Sequence, residues 1–325
     1  MTTVSARTAL RAVAIVSCLP YITLKILWVA GSRVGIPDGS VLLDHRALMA
    51  VANGGSVLMD GGVVVLALLL TRPWGLRVPA WMLALPMWTA TGLLLPIMTG
   101  YPAQLLVRAL GGDTGGAEAA AGRPFLHEWV FGVVYGGFIL QGLSLGALFV
   151  LYARDRWGHL WRGTLGELPA SPTAPALRAA AVAASLLALP PGTAHLLWAA
   201  GSTAGLTPDR AAGRDSGFHV LEAVYALWIA ATVAGVLLLA FRRSALPLRV
   251  PLALAWGGSG ATACWGGWLC LAALGSAGEA AERATPGMVL TYAVQMLVGT
   301  LVVTLGAYFL AERAAGARGA RDVSA

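Results

Sequence analysis

Most of this chain consists of apolar stretches long enough to cross a lipid bilayer. A helix of about 20 residues spans the hydrocarbon core. Eight such stretches cover residues 10–30, 50–71, 79–99, 128–152, 177–200, 217–241, 250–274 and 287–311. Of all residues, 58% are hydrophobic and only 11% are charged, whereas soluble domains carry about 25% charged residues. The sequence therefore predicts an all-α integral membrane protein with eight transmembrane helices.

One segment of the sequence occurs twice. Residues 19–35 and 189–205 both begin with Leu-Pro and contain Trp-x-Ala-Gly-Ser, and nine of the seventeen aligned positions are identical. Two shorter echoes follow in the same order: Arg77-Val78-Pro79 recurs at 249–251, and Leu145-Gly146-Ala147 recurs at 305–307. Repetition of this kind indicates an internal duplication. We predict two four-helix membrane repeats, residues 1–165 and 176–325.

The distribution of arginine predicts how the chain is oriented. With the N-terminus inside, fourteen arginines fall in cytoplasmic segments and seven in outer segments, which satisfies the positive-inside rule. Both termini are then cytoplasmic. Because each repeat has an even number of spans, the two repeats are expected to be parallel rather than inverted. Abundant Ala, Gly and Arg with a single Lys is typical of actinobacteria, so we expect a multi-pass protein of a bacterial cytoplasmic (inner) membrane.

The sequence gives no indication of a cofactor, a metal or a nucleic-acid partner. It contains no Walker A motif, no dinucleotide glycine fingerprint, no His-Glu-x-x-His and no Asp-rich diphosphate–magnesium motif. Cys18, Cys264 and Cys270 lie inside spans without Cys-x-x-Cys spacing. The net charge of +7 is explained by topology rather than by a basic binding face. The expected partners are the lipid bilayer and a hydrophobic small molecule, and no soluble protein partner is implied.

Lys25 and His195 occupy the same position in the two copies of the repeated segment. Each precedes the repeated Trp (Trp28, Trp198) by three residues, so Lys or His shares a helical face with Trp. Ionisable groups inside a membrane usually face the bundle interior or a cavity. Both residues are therefore candidates for substrate binding. The alternatives are that Lys25 extends to the outer headgroups and that His195 is a hydrogen-bonded core residue.

Asp60 and Glu222 are the candidate catalytic acids. Asp60 lies in the middle of a span, with Asn53 on nearly the same face and glycines beside it. Burial in hydrocarbon favours the neutral, protonated carboxyl unless a cation pairs with it. Asp60 can then act as a proton donor; the alternatives are a Lys25–Asp60 ion pair that locks helix packing and a span boundary placed wrongly. Glu222 lies nearer the outer end of its span.

Tryptophan is unusually frequent among the aromatic residues, with 12 Trp against 7 Phe. Ring faces in an apolar cavity stabilise a cation, and packing with interfacial belts is the alternative. The remaining candidate substrate-binding residues are Trp28, Trp198, Trp88, Trp228, Tyr135, Tyr225 and, at an outer helix end, Glu128. Helix capping by Asp44 and Asp215 is favoured over metal binding with the nearby His45 and His219.

The chain is small, has no extramembrane domain, carries acids inside its spans (Asp60, Glu222) and has a surplus of tryptophan. In these features it resembles the small bacterial integral membrane terpene cyclases of indole–sesquiterpenoid pathways. The resemblance is general and rests on no sequence motif, so no functional residue of that family is assigned to a position in this chain. It implies an enzyme that protonates a lipid-soluble terpenoid and cyclises it without a metal.

Two other functions remain open. A proton-coupled transporter or exporter of small molecules would use Lys25, Asp60, His195 and Glu222 at a site between the repeats. A scaffold or assembly subunit would carry no chemistry, and its polar side chains would serve packing alone.

Overall fold

The computed structural model describes residues 2–43, 46–113, 126–169, 171–242, 245–275 and 284–322. Within these ranges the regular structure is helical, and no β-strand occurs. The α-helices are α1 (Thr2–Val16), α2 (Leu19–Val29), α3 (Arg46–Leu69), α4 (Ala80–Ala109), α5 (Glu128–Trp157), α6 (Ala174–Ala199), α7 (Pro208–Ala212), α8 (Ser216–Phe241), α9 (Arg249–Gly275) and α10 (Pro286–Asp322).

Seven helical segments in the described part of the chain are long and apolar enough to cross a membrane, which indicates a multi-pass membrane protein. They are Ala6–Val29, Met49–Leu69, Ala80–Ala109, Glu128–Trp161, Ala174–Ala199, Ser216–Phe241 and Pro286–Gly316. Each contains most of one stretch predicted from the sequence. The remaining stretch, 250–274, lies within α9, a helix of 27 residues. α9 is not one of the seven, because its glycines and tryptophans make it less apolar.

The first span, predicted as one helix over 10–30, consists of two helices, α1 and α2. Pro20 has no N–H for Val16, and its ring crowds that carbonyl. Just before it, Ser17 Oγ and Cys18 Sγ both donate to the carbonyl of Ala14, at 3.0 and 3.1 Å. In the second copy the helix α6 continues through Pro190. Its residues equivalent to Ser17 and Cys18 are the apolar Leu187 and Ala188.

The long outer connection predicted for residues 100–127 is shorter than expected. α4 continues as a helix to Ala109, although the most apolar run ends near Tyr101. Gln104 Nε2 in this extension donates to the carbonyl of Gly217 at 3.2 Å. A polar side chain thus anchors a part of the helix that hydropathy alone assigns to the loop.

The chain divides into two compact units. The first contains Met1–Ala90, Ile97–Ala153 and Ala212–Phe218, and the second contains Thr91–Pro96, Arg154–Ala211 and His219–Ala325. In the second unit, glycines let helices approach closely. A Cβ added at Gly258 would lie 2.6 Å from the backbone N of Thr232, and one at Gly299 would lie 2.5 Å from that of Ala263. α8, α9 and α10 therefore pack backbone to backbone at these points.

Candidate functional site

The repeated segment builds the same helix end in both units. Trp28 Nε1 donates to the carbonyl of Val34 at 2.7 Å, and Trp198 Nε1 donates to the carbonyl of Ala204 at 2.8 Å. Both indoles are buried. Each indole N–H therefore closes the turn that follows its own helix.

The backbone of the two helix ends matches as well. Gly31 and Gly201 follow their helices with φ of 89° and 96°, the left-handed conformation in which glycine is favoured. Ser32 N donates to Leu27 O at 2.9 Å, and the second copy repeats this bond at the same length. The duplication read from the sequence is thus present as two structurally equivalent helix caps.

Lys25 projects from the end of α2 into the first unit and meets an amide rather than an acid. Its Nζ donates to Asn53 Oδ1 at 2.8 Å. It also lies 4.9 Å from the ring centres of both Tyr21 and Trp28. Two ring faces and one amide oxygen therefore surround the ammonium. Among the described residues, Lys25 forms no ion pair with Asp60.

Asp60 is buried in the middle of α3, with only 4% of the residue exposed. Its Oδ1 accepts a hydrogen bond from Gln141 Nε2 at 3.2 Å. Its Oδ2 is buried and has no hydrogen-bond partner among the described residues. An unpartnered polar atom at this depth is costly. Within the described part of the chain, Asp60 is therefore a carboxyl with one oxygen bound by Gln141 and the other without a partner.

The glycines beside Asp60 face open space. A Cβ added at Gly61 or Gly62 would meet no heavy atom within 4 Å, and the same holds for Gly54 and Gly55. From the sequence, glycines beside Asp60 are expected to let another helix or a ligand come close. Among the described residues no helix packs on them, so this segment of α3 has room beside it.

His195 and Glu222 form a buried pair in the second unit. His195 Nδ1 lies 2.5 Å from Glu222 Oε2, and His195 Nε2 lies 2.9 Å from Gln295 Oε1. The exposed fractions of these residues are 0%, 5% and 1% respectively. α6, α8 and α10 each contribute one of the three side chains. The cluster is closed, and both ring nitrogens of His195 have partners.

The hydrogen bonds of His195 use both of its ring nitrogens. With the Gln295 oxygen facing it, His195 Nε2 is the N–H donor of that contact. The short contact between His195 Nδ1 and Glu222 holds a proton between the ring and the carboxyl. Pairing of this kind is how a low-dielectric interior tolerates two ionisable groups.

Aromatic rings enclose the histidine. The ring centre of His195 lies 5.3 Å from Trp198 in an edge-to-face arrangement and 5.2 Å from Tyr225. Tyr292 stacks at 6.5 Å, and its hydroxyl accepts a hydrogen bond from Arg210 Nη1 at 3.3 Å. Trp198 and Tyr225, two predicted binding residues, therefore lie directly against His195.

The other predicted site residues lie apart from the two buried clusters or at their edges. Glu128 is exposed at the start of α5 and pairs with Arg108 at 2.7 Å. Tyr135 packs on Tyr101 with ring centres 4.7 Å apart. Trp228 packs near Gly257, and Trp88 is buried in the first unit. Glu128 is therefore held at an exposed helix end rather than inside a span.

Of the two candidate capping residues, Asp44 and Asp215, the structure describes Asp215. Asp215 Oδ1 accepts a hydrogen bond from the backbone N of Phe218 at 2.6 Å, as expected for a residue before a helix. His219 Nδ1 donates to the carbonyl of Trp198 at 3.0 Å. Asp44 and His45 lie outside the described residues.

The polar partners Asn53, Gln141 and Gln295 are the site residues that the sequence predicted least well. Each completes a buried cluster through its side-chain amide. The residues that they bind, Lys25, Asp60 and His195 respectively, lie on other helices. Their only signal in the sequence is that they are amides within apolar spans.

The first unit, which contains the Asp60 cluster, also contains an apolar groove. It has a volume of about 610 Å³ and lies between α5 and the segment from Ala12 to Pro20. Gly137 on the α5 wall of the groove lies one helical turn from Gln141, the partner of Asp60. Its volume is in the range of small-molecule sites.

Comparison with protein-family models, curated proteins and solved structures gives no match for this chain.

Proposed function

We propose that this protein is a membrane-embedded enzyme that cyclises a lipid-soluble terpenoid, with Asp60 as the proton donor. The observation that carries the proposal is the buried Oδ2 of Asp60, which has no partner among the described residues. As a neutral carboxyl, Asp60 holds a proton that no described acceptor receives. An alkene or epoxide beside it would be the missing partner.

The reaction balances without a cofactor. The Asp60 O–H bond breaks and a C–H bond forms at the substrate alkene, or an O–H bond forms at its epoxide oxygen. The carbocation that results is attacked by another double bond of the same molecule, which closes a ring. Loss of a proton from carbon to the Asp60 carboxylate gives the product and restores the acid. The apolar surroundings keep water from capturing the cation.

Two neighbours would assist proton donation. The N–H of Gln141 already points at Oδ1 of Asp60, so it stabilises the carboxylate that forms when the proton leaves. Lys25, which binds Asn53 two turns away on the same helix as Asp60, adds a positive charge nearby. Both groups favour the charged product of proton transfer more than the neutral acid, as catalysis requires.

The groove beside Gly137 supports a hydrophobic substrate. It is lined almost entirely by apolar side chains and is open on one side. A terpenoid dissolved in the bilayer could enter it without crossing an aqueous phase. We therefore assign substrate entry to this groove and proton donation to Asp60. Glu222 is not the donor in this proposal, because His195 already binds its carboxyl.

Asp60→Asn tests the assignment, since the amide keeps an oxygen for Gln141 and removes only the acidic proton. Membranes that contain the variant or the wild type receive farnesylated and epoxidised substrates in deuterated water. We expect the wild type to give cyclic product carrying deuterium and Asp60→Asn to give none. Asp38→Asn is the matched control, since the Asp38 side chain is 99% exposed. Full turnover by Asp60→Asn would exclude Asp60 as the proton donor. No turnover by the wild type would exclude terpenoid cyclisation as the activity.

A proton-coupled transporter is the second candidate, and the His195–Glu222 pair favours it. This pair shares one proton within the helices of the second unit, as groups that relay protons across membranes do. Liposomes with a pH-sensitive dye inside test it. Proton flux that depends on an added metabolite and is lost in Lys25→Ala and Glu222→Gln supports transport. Absence of flux with every metabolite tested contradicts it.

We further propose eight spans, with α9 as the additional one, arranged as two parallel repeats with both termini in the cytoplasm of an actinobacterium. Reporter fusions test this topology. A reporter after Leu246 and one after Thr285 should lie on opposite sides of the membrane, because α9 separates them. A reporter after Ala325 should be cytoplasmic. If the first two reporters lie on the same side, α9 does not cross the membrane.

A further inference from the structure

Asn53, the only asparagine in the chain, has a fixed orientation and an unused donor. Lys25 Nζ donates to its Oδ1 at 2.8 Å. The reversed amide would place two donors against each other, so this contact determines which end is the NH₂ group. That group, Nδ2, is buried and has no acceptor among the described residues, in a residue that is 4% exposed. A ligand that fits here must supply an acceptor oxygen.

The unpartnered donor of Asn53 and the unpartnered oxygen of Asp60 belong to one face of α3. Seven residues separate them, which is close to two full turns, so the two side chains project within about 20° of each other. Their Cα atoms are separated by about 10 Å along the helix axis. A single elongated molecule lying along α3 can therefore contact both.

In the second unit, the buried polar side chains of α8 have partners inside the chain. Glu222 Oε2 lies 2.5 Å from His195 Nδ1. Thr232 Oγ1 donates to the carbonyl of Trp228 and contacts Thr262 Oγ1, each at 2.8 Å.

α3 of the first unit differs, because Asn53 Nδ2 and Asp60 Oδ2 are buried and have no hydrogen-bond partner among the described residues. This difference between the two helices points to a ligand at α3.

We propose that Asn53 Nδ2 binds an oxygen of the substrate, and that this contact places an alkene of the same molecule at Asp60. The inference rests on the proposed function and specifies its substrate class: a terpenoid with an ether, hydroxyl or carbonyl oxygen near one end. About 10 Å corresponds to about eight or nine bonds of extended chain. Asp60 then protonates an alkene about two isoprene units from the oxygen, and Asn53 is the specificity-determining residue.

Asn53→Asp tests the role of the donor. The carboxylate keeps an acceptor for Lys25 and nearly the same shape, so the variant should fold, but it replaces the N–H donor by an oxygen. Farnesyl methyl ether, which only accepts hydrogen bonds, and farnesene, which has no oxygen, are the probes. We expect wild-type protein in nanodiscs to bind the ether at least about tenfold more tightly than farnesene. Asn53→Asp should bind the two equally, whereas Gln104→Glu, an amide-to-acid change outside the site, should keep the preference.

The outcomes separate this inference from the proposed function. Equal binding of ether and farnesene by the wild type overturns the role of Asn53, and so does an undiminished preference in Asn53→Asp. Either result leaves proton donation by Asp60 intact if Asp60→Asn still abolishes turnover. If the preference for the ether depends on Asn53 but Asp60→Asn keeps full turnover, the binding site at Asn53 stands and Asp60 is not the proton donor. Binding assays need no catalysis, so each result is read independently.

Discussion

His195 Nδ1 lies 2.5 Å from Glu222 Oε2, and the two side chains are 0% and 6% exposed. Within a membrane protein this pair is costly to break, because the partner that remains is left polar and enclosed. We expect His195→Leu and Glu222→Leu each to destabilise the protein by about 3–5 kcal/mol. The double variant should be clearly more stable than the sum of the two losses predicts. Thermal unfolding of all four proteins in detergent measures this coupling, and strictly additive losses would contradict it.

The two indole caps should make equal contributions. Trp28→Phe and Trp198→Phe each keep a ring and remove only the N–H that binds the carbonyl of Val34 or Ala204. Each change should cost about 1 kcal/mol, the net value of one hydrogen bond. Trp81→Phe is the control, since Trp81 is 68% exposed. Melting temperatures show the effect; a loss for Trp81→Phe as large as that for Trp28→Phe would refute the role of the cap.

Helical glycines should respond oppositely in the two units. Gly61→Ala adds a methyl group where nothing lies within 4 Å, so removing a flexible glycine from a helix should stabilise by about 0.5–1 kcal/mol. Gly258→Ala places its Cβ 2.6 Å from the backbone of Thr232 and should destabilise by about 1–3 kcal/mol. Melting curves of the two variants measure both signs. Equal responses would mean that the packing described here is wrong at one of the two positions.

The glycine that ends α2 gives a conformational test. Gly31 has φ of 89° and open space around its Cα, so alanine there suffers backbone strain without a steric clash. Gly31→Ala should lose about 1 kcal/mol, and Gly31→Asn should lose less, because asparagine tolerates the left-handed region. The order Gly, Asn, Ala in thermal stability is the expected outcome. Equal stability of the Ala and Asn variants would argue against a conformational cause.

The spans and the repeated cap could be predicted from the sequence, because both depend on residues close together in the chain. Apolar length determines a span, and Trp28, Gly31 and Ser32 lie within one short segment. The break before Pro20 was harder to predict, since its counterpart Pro190 lies inside an unbroken helix. The first copy differs in that Ser17 Oγ and Cys18 Sγ donate to the carbonyl of Ala14, whereas the equivalent residues of α6 are apolar.

The partners of the buried acids depend on tertiary packing. Asp60 and Lys25 are opposite charges inside neighbouring spans, and pairing them was a reasonable alternative. In the structure, Lys25 reaches Asn53 instead, because Asn53 lies two turns nearer the N-terminal end of α3. Glu222 and His195 are 27 residues apart, and Gln295 is 100 residues from His195. Helix rotation and depth set such pairings, and a hydropathy pattern contains neither.

The indole cap has a consequence for how the protein is made. All its hydrogen bonds join residues between Leu27 and Val34 or between Leu197 and Ala204. Such a turn can close as soon as its helix leaves the translocon, before the next helix has been synthesised. Each half of the polypeptide would thus enter the bilayer with the turn after its first repeated helix already formed, ready to guide the arrival of the following span.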